Sequence, residues 1–344
     1  MVQYAWHGLK QYKKEIFNSL LNDKKVKATT GDDTVFEYTK IPFNIPQLDK
    51  ITHGGIPRKR FTLLFGGFSS GKSYVASQLC KTVQEDGGVA VWIDLEKSWD
   101  NDWMTKSGLN TKEMLVYDPD TAEEAFKAAR NSLQAGADIV VLDSVAGLVP
   151  NDIFTHEDGV GHSPIAWQSR AWNQMLMRLI PELKHGGAFV AINQTRGTMG
   201  NVQMMDTMPG GEGQKYFSHC CMHFTRGSWL TKPGKSGSKN MSDRMGFEIN
   251  ARLLKDKFGG EKFEQAIVPF KFDGGIDMIE TYVRVALEEN IIEQKGAMYY
   301  YKTANFRGMN NVVTWFKENP KEYEELVDAT KESYLTGKSD SESA

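Results

Sequence analysis

The residues best suited to do chemistry stand together at Gly66-Gly67-Phe68-Ser69-Ser70-Gly71-Lys72-Ser73. A glycine, four residues and then Gly-Lys-Ser is the spacing of a phosphate-binding P-loop. Glycines let the backbone curl so that successive N–H groups point at phosphate oxygens, and a following helix adds partial positive charge. Lys72 is then expected to reach the terminal phosphates of a nucleoside triphosphate, and the Ser73 hydroxyl to hold Mg²⁺. Two further acids follow at the right kind of place. Asp138-Ile139-Val140-Val141-Leu142-Asp143 is an apolar run closed by Asp143, the pattern of an acid that holds Mg²⁺ through water. Val89-Ala90-Val91-Trp92-Ile93-Asp94 is another such run, with Glu96 two residues past its end. Glu96 is a candidate general base for activating water, against the alternative of a surface carboxylate in a loop. Ala188 to Gln194 is a fourth apolar run, ending in two amides. An amide there can bond a γ-phosphate, or simply make a turn.

These residues need a scaffold. Arg60 to Phe65 reads as a buried strand and Tyr74 to Gln84 as a helix, so the glycine loop has strand before it and helix after. With the other apolar runs this predicts an α/β fold with a mainly parallel twisted sheet, which binds ligands off the carboxyl ends of its strands. The chain has 344 residues, enough for one large α/β domain with additions or for two domains. Leu9, Tyr12, Ile16, Phe17, Leu20 and Leu21 fall at helical spacing, followed by a Lys-rich linker. Residues 1–33 therefore read as a tethered amphipathic helix that folds back on its own core or docks on a neighbour. The core is expected over 34–270, a small α+β domain over 271–335 and a polar, disordered tail over 336–344.

Bulk composition excludes several classes. The net charge of −3 argues against a uniformly basic nucleic-acid coat. Three cysteines, two of them adjacent, do not make a disulfide framework and point to a reducing compartment. The first ten residues lack an apolar signal core, and there is no run of eighteen apolar residues to span a membrane. No histidine or cysteine spacing suggests zinc. Residues 151–163 and 195–208 read as long loops on the ligand edge; the second carries Arg196, Gly197, Met199, Val202, Met204 and Met205 and ends at Pro209-Gly210-Gly211. Because it starts at Gln194, phosphate sensed there could order or release it. Lys232 to Arg244 reads as a basic hairpin, and Lys255-Asp256-Lys257, on its residues alone, as a solvated charge cluster.

The ordered set of motifs resembles the RecA-family recombinases of bacteria and tailed phages. It comprises Gly66–Ser73, Asp94-Leu95-Glu96, Asp100 with Trp103, Asp138–Pro150, Ile192–Arg196, Gly210-Gly211 with Lys215–Phe217, Lys255–Lys257 and Gly296–Tyr301. The resemblance implies ATP and Mg²⁺ as ligands, with Gly66, Gly67, Phe68, Ser69, Ser70, Gly71, Lys72 and Ser73 on the phosphates and Asp143 as the second metal-holding residue. It makes Glu96 similar to the water-activating glutamate and Gln194 to the glutamine that couples γ-phosphate to the second DNA-binding loop. Asp100 and Trp103 match the pair that flanks adenine, with Trp where the family usually has Tyr. Lys255 and Lys257 match a pair that reaches the ATP of an adjoining subunit, which replaces the solvated-cluster reading, and the N-terminal helix matches one that docks on the neighbouring core.

The same resemblance implies single- and double-stranded DNA as partners, self-assembly into a helical filament, single-strand-binding and loader proteins, and a cytoplasmic location, bacterial or in a phage host. The loops depart from the family. The first, with Asp152, Glu157 and Asp158, is nearly free of cations, so Arg170 on the following helix is a candidate contact. The second offers Arg196 as its cation, with main-chain amides for phosphate and Val202, Met204 or Met205 as apolar wedges between bases; Gly197, Met199, Gly210 and Gly211 complete the candidate DNA contacts. The expected function is a DNA-dependent ATPase that pairs and exchanges strands. A ring-forming helicase or an ATP-switched scaffold on the same core are the alternatives.

Overall fold

The computed structural model describes residues 39–149, 164–195, 208–232, 235, 237–238, 240–257 and 264–336; the readings made for residues 1–33, 151–163, 196–207 and 337–344 lie outside them. The described residues from Lys40 onward belong to one compact unit. In chain order they begin with β1 (Lys40–Ile41), a short helix α1 (Pro46–Ile51) that has proline in its first turn, and β2 (Ile56–Pro57). Then follow β3 (Phe61–Gly66), α2 (Lys72–Glu85), β4 (Ala90–Asp94), α3 (Asn101–Lys106), β5 (Leu115–Tyr117), α4 (Ala122–Gln134) and β6 (Ile139–Asp143). Helix α5 (Pro164–Leu179) continues as a 3₁₀ turn over Ile180–His185, where Pro181 removes a backbone donor.

After it come β7 (Ala188–Gln194), α6 (Gly213–Phe217) and a long hairpin of β8 (Cys220–Thr231) and β9 (Arg244–Asp256). The chain ends with β10 (Gln265–Lys271), β11 (Gly275–Ile276), α7 (Met278–Glu288), β12 (Glu293–Lys295), β13 (Met298–Tyr301), β14 (Ala304–Arg307), α8 (Met309–Glu318) and α9 (Pro320–Thr336).

Nine strands form one sheet in the order β11-β10-β9-β8-β3-β7-β6-β4-β5. From β8 to β5 all neighbours are parallel, and β9, β10 and β11 extend the sheet antiparallel. This is the mainly parallel α/β sheet that the apolar runs predict. Side chains alternate between its faces. Leu64, Trp92, Val141 and Val190 pack with α2 on one face, and Leu63, Ile93, Val140 and Phe189 pack with α4 and α5 on the other. The helices start on side-chain caps where the sequence supplies them: the Thr121 hydroxyl accepts the Glu124 amide, and Asp277 accepts that of Glu280. The three C-terminal helices cover the small antiparallel sheet β12-β13-β14 around a separate apolar cluster of Tyr282, Val283, Ile292, Tyr301, Val312, Phe316 and Leu326. They are tied to α1 by Gln47, whose buried amide donates to the Thr281 carbonyl, and by Lys50, which pairs with Glu288 and Glu289.

The register fixes what the sheet presents. Gly66 pairs with Gln194 on one side and Phe224 on the other, Asp143 with Ile192, and Asp94 with Asp143. The carboxyl ends of β3, β7, β6 and β4 therefore stand at one level along one edge. Gly66 must be glycine for this: a Cβ there would lie 1.9 Å from the Phe224 carbonyl oxygen of β8. Gly66→Ala is expected to push β8 away from β3 and lower stability by about 1–3 kcal/mol, the usual cost of an overpacked core position, read as a shift in the urea midpoint at unchanged m.

Candidate active site

The glycine loop leaves β3 and enters α2 at Lys72, so the first turn of α2 faces the edge where β4, β6 and β7 end. The Lys72 ammonium is buried and donates to the carbonyls of Gly66 (3.2 Å) and Gly67 (2.7 Å) and to the Ser70 hydroxyl at 3.4 Å. Burial lowers its pKa, while Asp143 and Glu96 nearby pull the other way. Phe68 stands out from the loop, 71% exposed.

Asp143, at the end of β6, is 2% exposed. Its pKa is pushed up to about 7, first by burial and then by the like charges of Glu96 and Asp94, against the Ser73 hydroxyl that bonds to it and the charge of Lys72. Ser73 and Asp143 thus meet, as a shared metal would require. Among the described residues no cluster of three or more His, Cys, Asp or Glu side chains is arranged to hold a metal. That donor set suits Mg²⁺, a hard cation that keeps much of its shell as water and phosphate oxygen and takes one or two protein oxygens. Asp94 is committed elsewhere: its carboxylate accepts the Ser98 and Trp99 amides, both at 2.8 Å, and shapes the turn after β4.

That turn delivers Glu96. Its Oε1 accepts the Ser144 hydroxyl at 2.5 Å and also the Gln194 side-chain amide. The contact joins residues 98 positions apart in sequence, through three adjacent strand ends. Both donors use one carboxylate oxygen, Oε1. Ser144, the next residue after Asp143, was not singled out from sequence; its place directly behind a metal-type aspartate was the available signal.

Asn193, beside Gln194, does something different from phosphate recognition. It is fully buried, and its amide donates to the Pro209 carbonyl (2.7 Å) and to Gln214 (2.9 Å). Gln214 in turn donates to the carbonyls of Pro209 and Gly211. Thr195 donates its backbone amide to the Gly66 carbonyl at 3.0 Å. The residues that flank segment 196–207 are therefore tied to the ends of β3 and β7. Gly210 is buried against the Trp172 ring and Gly211 is half-buried. Arg196, Gly197, Met199, Val202, Met204 and Met205 lie outside the described residues. Arg170 is exposed on α5, in a cleft of about 460 Å³ shared with Glu123, Phe126, Met175 and Arg178.

Asp100 caps α3, its carboxylate accepting the amides of Asp102 and Trp103, and so sets where Trp103 begins. The half-buried Trp103 ring packs against Tyr74 of α2 and Phe270 of β10, with centroids 6.3 and 6.1 Å away. Lys255 and Lys257 stand elsewhere. Lys255 pairs with Cys221, which pairs with Leu63, three residues before Gly66. At about 3.3 Å per residue this is roughly 10 Å back from the loop, two strands away. The Lys255 ammonium donates to the carbonyls of Lys215 (2.6 Å) and Tyr216 (3.0 Å), and Tyr216 is 81% exposed. Beside them His219 is held down to about 4 by burial and by the positive charge of Lys257, Arg60 and Lys255.

Asp143 gives a pH signature. Between about 3.8 and about 7 the folded chain keeps a proton that the unfolded aspartate has released. Its contribution is thus complete below the lower value and is lost as pH rises through the upper one. Without divalent cations, Asp143→Asn is expected to be more stable than the wild type at pH 8 by a few kcal/mol, at about 1.4 kcal/mol per pKa unit, and to match it near pH 4. Asp49, also buried and pushed up to about 7, adds the same slope to both proteins, so urea titrations should be compared as a difference.

Residues 29–277 match the family model described as the RecA N-terminal domain. Curated relatives include the RecA protein of Halalkalibacterium halodurans, 32% identical over 82% of this chain and 78% of its own length. The RecA protein of Thermus aquaticus is 31% identical over 79% and 78%, and that of Arthrospira platensis 30% identical over 91% and 86%.

Proposed function

The chain belongs to the RecA family of recombinases, which act in homologous recombination and repair and for which filament formation and strand exchange are typical, and from that premise we propose that it is a DNA-dependent ATPase whose nucleotide site is completed by a second copy. The observation that carries this reading is the joining of Glu96 to Gln194 across the strand ends, beside Ser73 and Asp143. In this reading the loop amides and Lys72 bind the phosphates and hold them in line with Glu96. Glu96 accepts the proton of the attacking water at Oε2, the oxygen not used by Ser144 and Gln194. Ser73 and Asp143 are the residues that would hold Mg²⁺, which supplies charge neutralisation of the phosphate oxygens when bound. Trp103 offers an aromatic face to the base.

Gln194 then serves as the link to DNA. Its side chain sits on Glu96, and its neighbour Asn193 fixes the far end of segment 196–207. A phosphate that draws Gln194 away from Glu96 would free the base and pull on that segment together. Lys255 and Lys257 are placed too far back to serve their own chain's loop, and in this reading they reach a neighbouring copy's triphosphate and stabilise charge there, as an arginine finger does. Exposed apolar side chains support self-assembly: Leu115, Val116 and Tyr117 on the open edge strand β5, with Phe68 and Tyr216 on the two faces just described. Among the described residues no helix is long and apolar enough to cross a membrane.

Phosphate release with and without single-stranded DNA is the test. DNA is expected to stimulate turnover in the wild type, and Lys72→Ala to abolish it. Glu96→Gln should lower kcat by about 10²–10⁴ while keeping nucleotide affinity. The pair Lys255→Ala with Lys257→Ala should remove most of the DNA stimulation, on the order of 10³-fold if it acts as a finger, with nucleotide binding retained. A DNA-indifferent rate in the wild type would overturn the reading in favour of the scaffold alternative, and closed rings on DNA in electron micrographs would favour the helicase.

A further inference from the structure

Tyr74 has no part in the mechanism above, yet it occupies the first turn of α2, directly after Lys72 and Ser73. Three contacts define it. Its ring lies against Trp103, as described, and edge-on to Phe270 with centroids 5.0 Å apart. Its hydroxyl accepts the backbone amide of Ile276 at 3.3 Å. Gly275, one residue earlier, has φ +68 and leaves the hydroxyl its place: a Cβ there would stand 2.6 Å from the oxygen. Phe270 and Ile276 are themselves opposed residues of the β10–β11 pair. One aromatic side chain thus touches the glycine-loop helix, the Trp103 ring and both strands of the last hairpin of the sheet.

That hairpin is where the C-terminal substructure begins. Ile276 is followed by Asp277, the cap of α7, whose carboxylate also pairs with Lys271 at 3.1 Å and with Lys317 of α8 at 3.3 Å. Met278 packs against the core cluster on the α2 face and against the C-terminal cluster alike. A shift of the first turn of α2, or of Trp103, therefore reaches α7 through two covalent steps after the Tyr74 hydroxyl.

We propose that Tyr74 is a positioning residue that ties the base side of the nucleotide site to the C-terminal helices, so that nucleotide binding firms the β11–α7 junction. The inference rests on the nucleotide site proposed above. The ring holds Trp103 in place from behind, and the hydroxyl reports the position of α2 to Ile276. The hydroxyl and the ring can be separated by mutation, which makes the link testable apart from packing.

The test is amide hydrogen exchange read by mass spectrometry on the full-length chain, with and without Mg²⁺ and a nonhydrolysable ATP analogue. In the wild type the analogue is expected to protect residues 66–75 and also to slow exchange over 274–290 by about twofold to tenfold, the scale of one hydrogen bond. Tyr74→Phe keeps the ring and removes the hydroxyl; it should retain protection at 66–75 and lose most of the nucleotide-dependent slowing at 274–290. Gly275→Ala, which crowds the hydroxyl from the other side, should give the same loss. The ratio of exchange with and without analogue is the measure, so a variant whose junction is merely looser in both states, with the wild-type ratio, overturns the inference. Absence of protection at 66–75 in the wild type instead sinks the nucleotide-site reading, and this coupling with it.

Discussion

The structure depends on an unfavourable concentration of negative charge held at one edge of a parallel sheet. Asp94, Glu96 and Asp143 gather where β4 and β6 end, and Asp143 is removed from water. Desolvation and mutual repulsion leave Asp143 poorly able to ionise alone, with Lys72 and Ser73 as partial compensation. Such a site is incomplete in its electrostatics and favours a ligand that brings cations to it. The sheet makes this tolerable, because hydrogen bonds of five parallel neighbours and two apolar layers hold the strand ends in register whatever the local repulsion. Asp94 shows the other resolution of the same problem: it meets two backbone amides and becomes part of the turn that presents Glu96.

Neutral amides then do the connecting. Asn193 and Gln194 are consecutive on β7, so their side chains point to opposite sides of the strand. One is buried and ties down Pro209; the other reaches Glu96. The division matters because a fully buried amide with its donors and acceptors met is costly to move, whereas one at the strand end can change partner at small cost. In the proposed coupling Asn193 and Gln214 are the fixed part and Gln194 the movable part, with residues 196–207 between them in the chain.

Much of this was legible in the sequence, and the reasons are local. Strands β3, β4, β6 and β7 are buried on both faces, so each reads as a largely apolar run, broken in β3 only by Thr62, and each ends in a glycine, acid or amide that names its place on the ligand edge. Strand β5 was missed because its three residues are exposed and carry no alternation; α3 because six residues give less than two turns of periodicity, although Asp100 followed by Asp102 is a start signal. Strands β10 and β14 were missed too, the first because alternation is interrupted by Pro269 near its end. The bond between Glu96 and Gln194 depends on the order β7-β6-β4, and the Tyr74–Phe270 contact on β10 folding back beside β9; neither order is written in local spacing. The charged run at Lys255 shows the limit most clearly. Its composition alone suggested solvation, but Lys255 is half-buried and held by two carbonyls of α6.

The placement of Lys255 and Lys257 also constrains how copies can meet. The glycine loop is at the carboxyl ends of the parallel strands, and the lysines lie toward the amino ends on the antiparallel extension. A two-fold contact can set lysines against loops only reciprocally, within one self-complementary patch that contains both. A head-to-tail relation sets the lysine face of one copy against the loop face of the next and needs no such shared patch. In the proposed reading the assembly is heterologous, each member giving one face and using the other, and hydrolysis at any joint belongs to two chains at once. A contact of that kind either closes into a ring or continues as a helix, and the choice rests on the rotation between neighbours. The strand geometry of a single chain determines which faces are used and leaves that rotation to the contact itself.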